Sequence, residues 1–401
     1  MSQTATKKFR GPQEMHVLFL PSWYPADETD FSGSFFIEQA QAVALAGHDV
    51  GVVSVKGIPI YSPAQLRGRA PGIRRSVESG ISTYRLDKVL PFPKVPGGNE
   101  RVLLHAWRVL LTRYISENGL PDVLHAHAMF PAGIVAHALS DEFGIPFIVT
   151  EHRPSSVGRL QEKWSGVHGR RAAYAASALV AVARGFVPVL NEAYGIAPDK
   201  WQYIPGLLSP QFQDIATRDV PQGPFVFGHV SHLDPGKRVD LLIEAFAEQF
   251  SNVDNVRLRI AGDSVHKAAL EALAGRLGIA KKVDFIGAVP RNGIVAEFSS
   301  AHVFVLPSAA EAFGTVLWEA MACGLPLVST ATWAGTNAVV ESNGLLAGID
   351  SLAELGEAMV RIRKDFDSYD PATIRTICVD HCGRAAFVSQ YEATYAKAIA
   401  G

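Results

Sequence analysis

The sequence predicts an α/β protein made of two doubly wound domains, and three observations carry that reading. Short β-branched or apolar runs alternate with amphipathic helical segments almost from end to end, the pattern of parallel sheets covered by helices. The alternation comes as two series, separated by a stretch in which Pro205, Gly206, Pro210, Pro221, Gly223 and Pro224 concentrate turn residues. The length of 401 residues suits two large domains at roughly 150 residues per domain, with some to spare.

In the first series the strand candidates are 15–20, 50–55, 81–86, 123–126, 147–150 and 178–182, with helices at 35–46, 101–116, 133–142 and 185–193. The second series runs 225–230, 256–261, 283–286, 303–306 and 326–329, with a helix after each strand. The expected division is a polar tail over 1–14, a first domain over 15–205, a second over 206–384, and a closing helix over 385–401. The junction and hinge fall within 203–224. The last helix carries Phe387, Tyr391 and Tyr395 four apart on one face, a stripe expected to be buried.

Composition excludes several classes. Hydrophobic residues make up 48% and charged residues 19%, so disorder and low-complexity architectures are excluded. A net charge of −2 excludes a globally basic nucleic-acid binder. The most apolar stretch, 175–190, is broken by Arg184, Gly185 and Pro188 and falls short of the ~18 residues needed to span a bilayer. The first fourteen residues lack an apolar signal core, so a cytoplasmic location is expected. Three cysteines are too few for a disulfide framework, and Cys378, His381 and Cys382 lack a second ligand pair for zinc.

The neutral total conceals an asymmetry. Up to residue 205 there are 21 Lys+Arg against 17 Asp+Glu, a net +4; beyond it, 16 against 22, a net −6. Arg67, Arg69, Arg74 and Arg75 read as a basic surface loop, and Pro91, Pro93 and Pro96 precede a helix carrying Trp107 and Arg108. Such a loop suits peripheral contact with an anionic membrane, on its inner face, or with an anionic acceptor.

The segment 306–329, LPSAAEAFGTVLWEAMACGLPLVS, carries the most chemistry. On one continuous helix, Glu311 and Glu319 would lie about 80° apart in azimuth and about 12 Å along the axis, awkward for a shared ligand. A helix starting near Gly314 instead leaves Glu311 in the preceding loop and Glu319 in the second turn. The free amides of Phe313, Gly314, Thr315 and Val316 then lie between two carboxylates. That is one anion site flanked by two acceptors for hydroxyl groups, which suits a nucleotide diphosphate sugar. Taken singly, either Glu would be an ordinary helix acid.

With Phe313-Gly314 and the following Glu-Ala-Met-Ala-Cys-Gly-Leu-Pro, this segment resembles the signature of the retaining glycosyltransferases of family four. The resemblance implies the GT-B fold, two Rossmann-like doubly wound domains facing a central cleft. It also implies that Glu311 contacts donor-sugar hydroxyls and Glu319 the ribose. The stretch FVFGHVSHLDPGKRVDLLIEAFA, 225–247, is similar to the family segment in which an Arg and a Lys hold the donor diphosphate. Lys237 matches the Lys, whereas His232 stands at the Arg position, replacing a permanent charge by an imidazole. Gly262, after the next strand, joins the expected donor set. Gly236-Lys237 is not a P-loop, because Arg238 follows and the earlier Gly is missing.

In the first domain, Ser32-Gly33-Ser34 is similar to the family's glycine loop, and Ser22-Trp23-Tyr24-Pro25 and Gly33 to Gln39 look like bacterial surface-polysaccharide transferases. No G-x-G-x-x-G follows the first strand, so no redox cofactor is expected. Residues two apart on a strand share a side, which places His125 and His127 together. The resemblance assigns His127 to the neighbourhood of the transferred sugar. Glu151 and His152 end the next strand, where ligands gather, and are candidates for the acceptor side. Two departures stand out: Ile204-Pro205-Gly206-Leu207 replaces the family's Ile-Pro-Asn-Gly, and Gly335-Thr336-Asn337 lacks the usual Glu.

The resemblance therefore implies transfer of a sugar from a nucleotide diphosphate donor to a hydroxyl of a glycan or lipid-linked acceptor, with retention and without a metal, in bacterial polysaccharide or glycolipid synthesis. His127, Glu311 and Lys237 are the expected catalytic residues. Asp365-Phe366-Asp367 lies in a charged helical stretch instead of after a strand, unlike a metal-binding Asp-x-Asp. A nucleotide-sugar epimerase or a phosphorylase on the same scaffold is the alternative enzyme, and a two-domain solute-binding protein the alternative of another class.

Overall fold

A computed structural model describes residues 14–26, 30, 32–62, 72–216 and 219–401. The chain divides into two compact units, Met1–Ile204 with Val388–Gly401, and Pro205–Phe387. The expected tail, apart from residue 14, lies outside the described residues.

The first unit is built on eight strands, β1 (His16–Pro21), β2 (Asp49–Pro59), β3 (Ile73–Glu78), β4 (Ile81–Leu90), β5 (Val123–His127), β6 (Phe147–Glu151), β7 (Ala178–Ala181) and β8 (Trp201–Tyr203). Their order is β3-β4-β2-β1-β5-β6-β7-β8, parallel except for the β3/β4 pair. Central β1 is buried at every residue, so His-Val-Leu-Phe-Leu-Pro reads as a continuous run without alternation. Helices α1 (Ser34–Leu45), α2 (Gly98–Asn118), α3 (Ile134–Phe143), α4 (Ser156–Arg159), α5 (Lys163–Ala175) and α6 (Phe186–Tyr194) connect the strands.

The basic loop needs correction. Arg67 and Arg69 lie outside the described residues, and Arg74 and Arg75 belong to strand β3, not to a loop. A two-residue turn, Ser79 at φ 50° and Gly80 at φ 85°, folds β3 onto β4. Two successive positive φ values are what a type I′ hairpin requires, and Ser-Gly was the sequence signal for it. Arg74 meets Asp87 at 2.9 Å and Arg75 meets Glu117 at 3.3 Å, so both charges are balanced within the unit.

The second unit holds β9 (Phe225–Val230), β10 (Val256–Ala261), β11 (Val283–Gly287), β12 (Val303–Leu306), β13 (Leu327–Thr330) and β14 (Gly344–Ala347), all parallel, in the order β11-β10-β9-β12-β13-β14. Its helices are α7 (Val239–Phe250), α8 (Lys267–Arg276), α9 (Ile294–Ser299), α10 (Thr315–Ala322), α11 (Trp333–Ala338), α12 (Leu352–Lys364) and α13 (Pro371–Cys382). Val303 and Val305 of β12 enter the core with Phe227, Phe246 and Ile260, while Phe304 and Leu306 enter the opposite core with Phe298 and Trp318. The period of two thus serves two apolar faces. Cys323, Cys378 and Cys382 are buried in that second core, the last two with sulfurs 4.0 Å apart.

Helix α14 (Arg384–Ala400) starts in the second unit, and its residues from Val388 onward belong to the first. There the Tyr391 hydroxyl meets Thr150 Oγ1 at 3.0 Å and the Tyr395 hydroxyl meets His125 Nδ1 at 2.8 Å. The aromatic stripe is therefore anchored by hydrogen bonds as well as burial, which a buried tyrosine hydroxyl needs.

Candidate functional site

In the second unit the strand order reverses between β9 and β12, and loops from the carboxyl ends of both strands meet there. Ligands collect at such switch points in open α/β sheets. After β9 the chain makes a 3₁₀ turn, Pro235–Lys237, and Arg238 takes a left-handed φ of 50°. After β12 the loop carrying Glu311 is tied to that turn by a bond from Ala309 N to Gly236 O of 2.9 Å. The Lys237 ammonium then donates to Glu311 Oε1, which also accepts from Ser308 Oγ at 3.0 Å. Two residues singled out separately in the sequence are thus a contacting ion pair.

Glycine makes the approach possible. Gly314 holds φ 65° immediately before α10, and a Cβ there would lie 2.7 Å from Ala334 Cβ. The first-turn amides of Thr315 and Val316 have no acceptor within the helix and add partial positive charge beside Glu311. Gly262 holds φ 142°, and a Cβ on it would lie 1.9 Å from Ser231 O. Ser231 is fixed by His229, whose ring bonds Ser231 Oγ at 2.7 Å and Val305 O at 2.8 Å. Burial pulls the His229 pKa down to about 4, so it braces the loop as a neutral ring.

Glu319 lies in the second turn of α10 and accepts from Ser209 Oγ at 2.9 Å. Burial raises its carboxyl from 4.5 to about 7, against the opposing pull of that hydrogen bond and of Arg291. Phe313 packs against Gly206, where a Cβ would lie 2.8 Å from the ring. That contact accounts for Gly206 at a position where the family pattern carries Asn. His232 is exposed, and the neighbouring guanidinium, Arg238, is engaged by Asp240 and Asp350. Lys237 is the cation this loop presents beside Glu311.

The first unit brings its candidates together around the ends of β1, β5 and β6. His127 Nδ1 and His152 Nε2 share a hydrogen bond of 3.2 Å, and His127 Nε2 is buried without a partner. His125 lies on the same side, its ring 4.0 Å from that of His127, and is held by Thr150 and Tyr395. Burial takes His152 down to about 3 and His127 well below its ordinary value, so the pair is neutral at physiological pH. Glu151 is committed otherwise: its carboxylate accepts from the amides of Met129, His152 and Arg153 at 2.9 to 3.1 Å. Its place is beneath the loops, shaping them.

Gly33, at φ 83°, leaves room for the Trp23 ring, which a Cβ would approach to 2.9 Å. Arg153 lies 3.5 Å above that ring. Ser209, Ser308 and Arg153 carry no sequence signal for these roles; for His229 the signal is its place two residues before Ser231 at the end of β9. Among the described residues no three His, Cys, Asp or Glu side chains gather as metal ligands, and no helix is long and apolar enough to cross a membrane.

Two family models match the chain, one described as Glycosyltransferase Family 4 over residues 33–211 and one as Glycosyl transferases group 1 over residues 211–367. A D-inositol 3-phosphate glycosyltransferase of Acidothermus cellulolyticus is 30% identical over 351 residues, 80% of this chain and 75% of that one. A protein of the same name from Kribbella flavida is 29% identical over 282 residues, 64% of this chain and 66% of that one. Among solved structures, sucrose-phosphate synthase from Thermosynechococcus elongatus superposes with a TM-score of 0.74 at 18% identity, over 96% of this chain and all of that one. Anabaena HepE in complex with UDP gives 0.71 at 19% identity, over 95% and 100%. At those identities the likeness to solved structures is one of fold.

Proposed function

The chain belongs to the family 4 glycosyltransferases, and from that premise we propose that it moves a sugar from a nucleotide diphosphate donor to an acceptor hydroxyl with retention of anomeric configuration. The observation that carries this reading is the Lys237–Glu311 pair set beside the start of α10. A diphosphate needs a cation and amide donors, and a sugar needs a carboxylate within reach of its hydroxyls. Both needs are met by groups within one switch-point cluster.

In the proposed reaction the bond from the anomeric carbon to the phosphate oxygen breaks on the same face on which the acceptor oxygen attaches. The departing phosphate takes the acceptor's proton. Lys237 and the α10 amides stabilise the charge that grows on the leaving diphosphate, so no metal is required for it. Glu311 holds the sugar hydroxyls and Glu319 the ribose. On the first unit, His127 and His152 offer neutral ring nitrogens to a hydroxyl of the acceptor.

The acceptor is proposed to be lipid-linked or a surface glycan, reached at the cytoplasmic face of a membrane. The curated relatives act, by name, on D-inositol 3-phosphate, which makes a phosphorylated hydroxyl compound the first acceptor to try. Lys237→Ala and Glu311→Ala are each expected to slow transfer at least about 10²-fold, the usual cost of removing one charge-stabilising group. Both variants should still unfold cooperatively. Transfer at the normal rate in both would refute the donor-site assignment.

A further inference from the structure

The first unit contains a cavity of about 510 Å³ between the start of α2, the Phe130–Pro131 turn, α3 and α5. Its volume lies in the range of small-molecule sites. Leu103, Leu104, Phe130, Pro131, Ile134 and Val135 form apolar walls. Arg101, Arg159 and Arg171 also line it, against the carboxylates of Glu100 and Asp141. Arg159 stacks its guanidinium 5.2 Å above the Phe130 ring; its Nη2 reaches Glu162 at 3.4 Å and Glu100 at 3.9 Å, whereas its Nε is buried without a hydrogen-bond partner. Phe130 follows His127 by three residues, so the wall of this cavity continues the strand end that carries the proposed acceptor-side imidazole.

The surroundings are apolar as well. Gly97, at φ 73°, lies against Trp164, a lining residue, because a Cβ there would sit 2.5 Å from the indole nitrogen. The loop that Gly97 closes exposes Phe92 at 47% and Val95 at 51%, with Lys94 between them. Two exposed apolar side chains around a lysine, next to an apolar cavity lined by guanidinium groups, match a molecule that is aliphatic at one end and anionic at the other.

We propose that this cavity holds the aliphatic chain of the membrane-resident acceptor, a lipid whose phosphate sits on Arg159 and Arg101 and whose headgroup beyond that phosphate carries the accepting hydroxyl. The proposal rests on the sugar-transfer reading and adds the acceptor's chemical class and its place. Phe92 and Val95 then enter the lipid surface from which the chain is drawn.

The test uses decyl phosphate, decanol and inorganic phosphate with the full chain, reading tryptophan fluorescence, with Trp164→Phe to identify the responding ring. Decyl phosphate should bind saturably, at least tenfold tighter than decanol, and roughly tenfold tighter than octyl phosphate for the two added methylenes. Inorganic phosphate should not compete. Leu104→Trp and the milder Ala138→Leu, at a residue of α3 that also lines the cavity, should each weaken decyl phosphate at least tenfold, and Arg159→Gln should bring it to the affinity of decanol. Absence of saturable binding, or equal affinity for decyl phosphate and decanol, overturns the proposal. So does wild-type affinity in the two cavity-filling variants. Thermal stabilisation of the wild-type chain by nucleotide sugars is measured in parallel. Stabilisation without alkyl phosphate binding removes the lipid cavity and leaves sugar transfer standing; the reverse removes sugar transfer and leaves the cavity.

Discussion

Glu319 combines two properties that make its role measurable. Its carboxyl is lifted to about 7 by burial, and hydroxyl groups of a ribose would bond best to its ionised form. Donor affinity is therefore expected to rise with pH through about 7, and Glu319→Gln to flatten that rise. Stability runs the other way. A carboxyl whose folded pKa exceeds its unfolded value binds more protons when folded, so its contribution is present at low pH and lost as pH rises from about 4.5 to about 7. The melting temperature of the wild-type chain relative to Glu319→Gln should fall over that window, and a constant difference would contradict the buried-carboxyl account. His127 and His152, held neutral by burial in the folded chain, should add no inflection near 6.5 to donor affinity, but they cost stability as pH falls below about 6.5, where the unfolded rings take up protons that the folded ones do not. The spacing of Glu311 and Glu319 was legible in the sequence, as was Lys237. The Ser209 and Ser308 hydroxyls that orient the carboxylates were not, because nothing in a lone serine reveals a partner 110 or 3 residues away.

At the scale of elements, the start of α10 is the critical construction. Gly314 ends the loop in the left-handed region, and Ala334 stands where its side chain would be. Gly314→Ala should cost about 1–3 kcal/mol from backbone strain alone, measured by denaturant unfolding. It should also weaken donor binding, since the helix start must move; unchanged affinity for the donor would show that the α10 amides do not hold the phosphate. The long central strands and the helices that follow them were legible, because apolar runs and 3.6-residue periodicity mark them strongly. Three strands and the helices α4 and α5 were not. β8, with three residues, and β14, with four, are too short to show a period, and β3 reads as a basic loop until the two positive φ values after it fold it onto β4. α5 is polar on one side and lined by Gly166 and Gly169 on the other, where Leu160 O and the Phe130 ring leave no room for a Cβ.

For the whole molecule, charge and exposure bear on the membrane proposal. The chain up to residue 205 carries +4 and the remainder −6. Arg74 is neutralised by Asp87 of β4 and Arg75 by Glu117 of α2, which moves the expected lipid contact to the loop of Phe92, Lys94 and Val95. Sedimentation with anionic vesicles should weaken as salt shortens the Debye length from about 10 Å at 0.1 M to about 3 Å at 1 M. Phe92→Ser with Val95→Ser should reduce it several-fold, and Arg74→Ala should leave it within about twofold. Indifference to salt and to the Phe92 and Val95 changes would favour a soluble acceptor.

The central claim, a nucleotide diphosphate sugar held by Lys237, Glu311 and the start of α10, is tested most directly by melting the chain with UDP-, GDP- and ADP-sugars. A ligand that binds the native state must stabilise it, by about 2.7 kcal/mol at one hundred times its Kd. The account predicts that one nucleotide series raises the melting temperature of the wild-type chain, and that Lys237→Ala and Glu311→Ala lose most of that rise. No stabilisation by any of the three, or equal stabilisation of the wild-type chain and both variants, would contradict it.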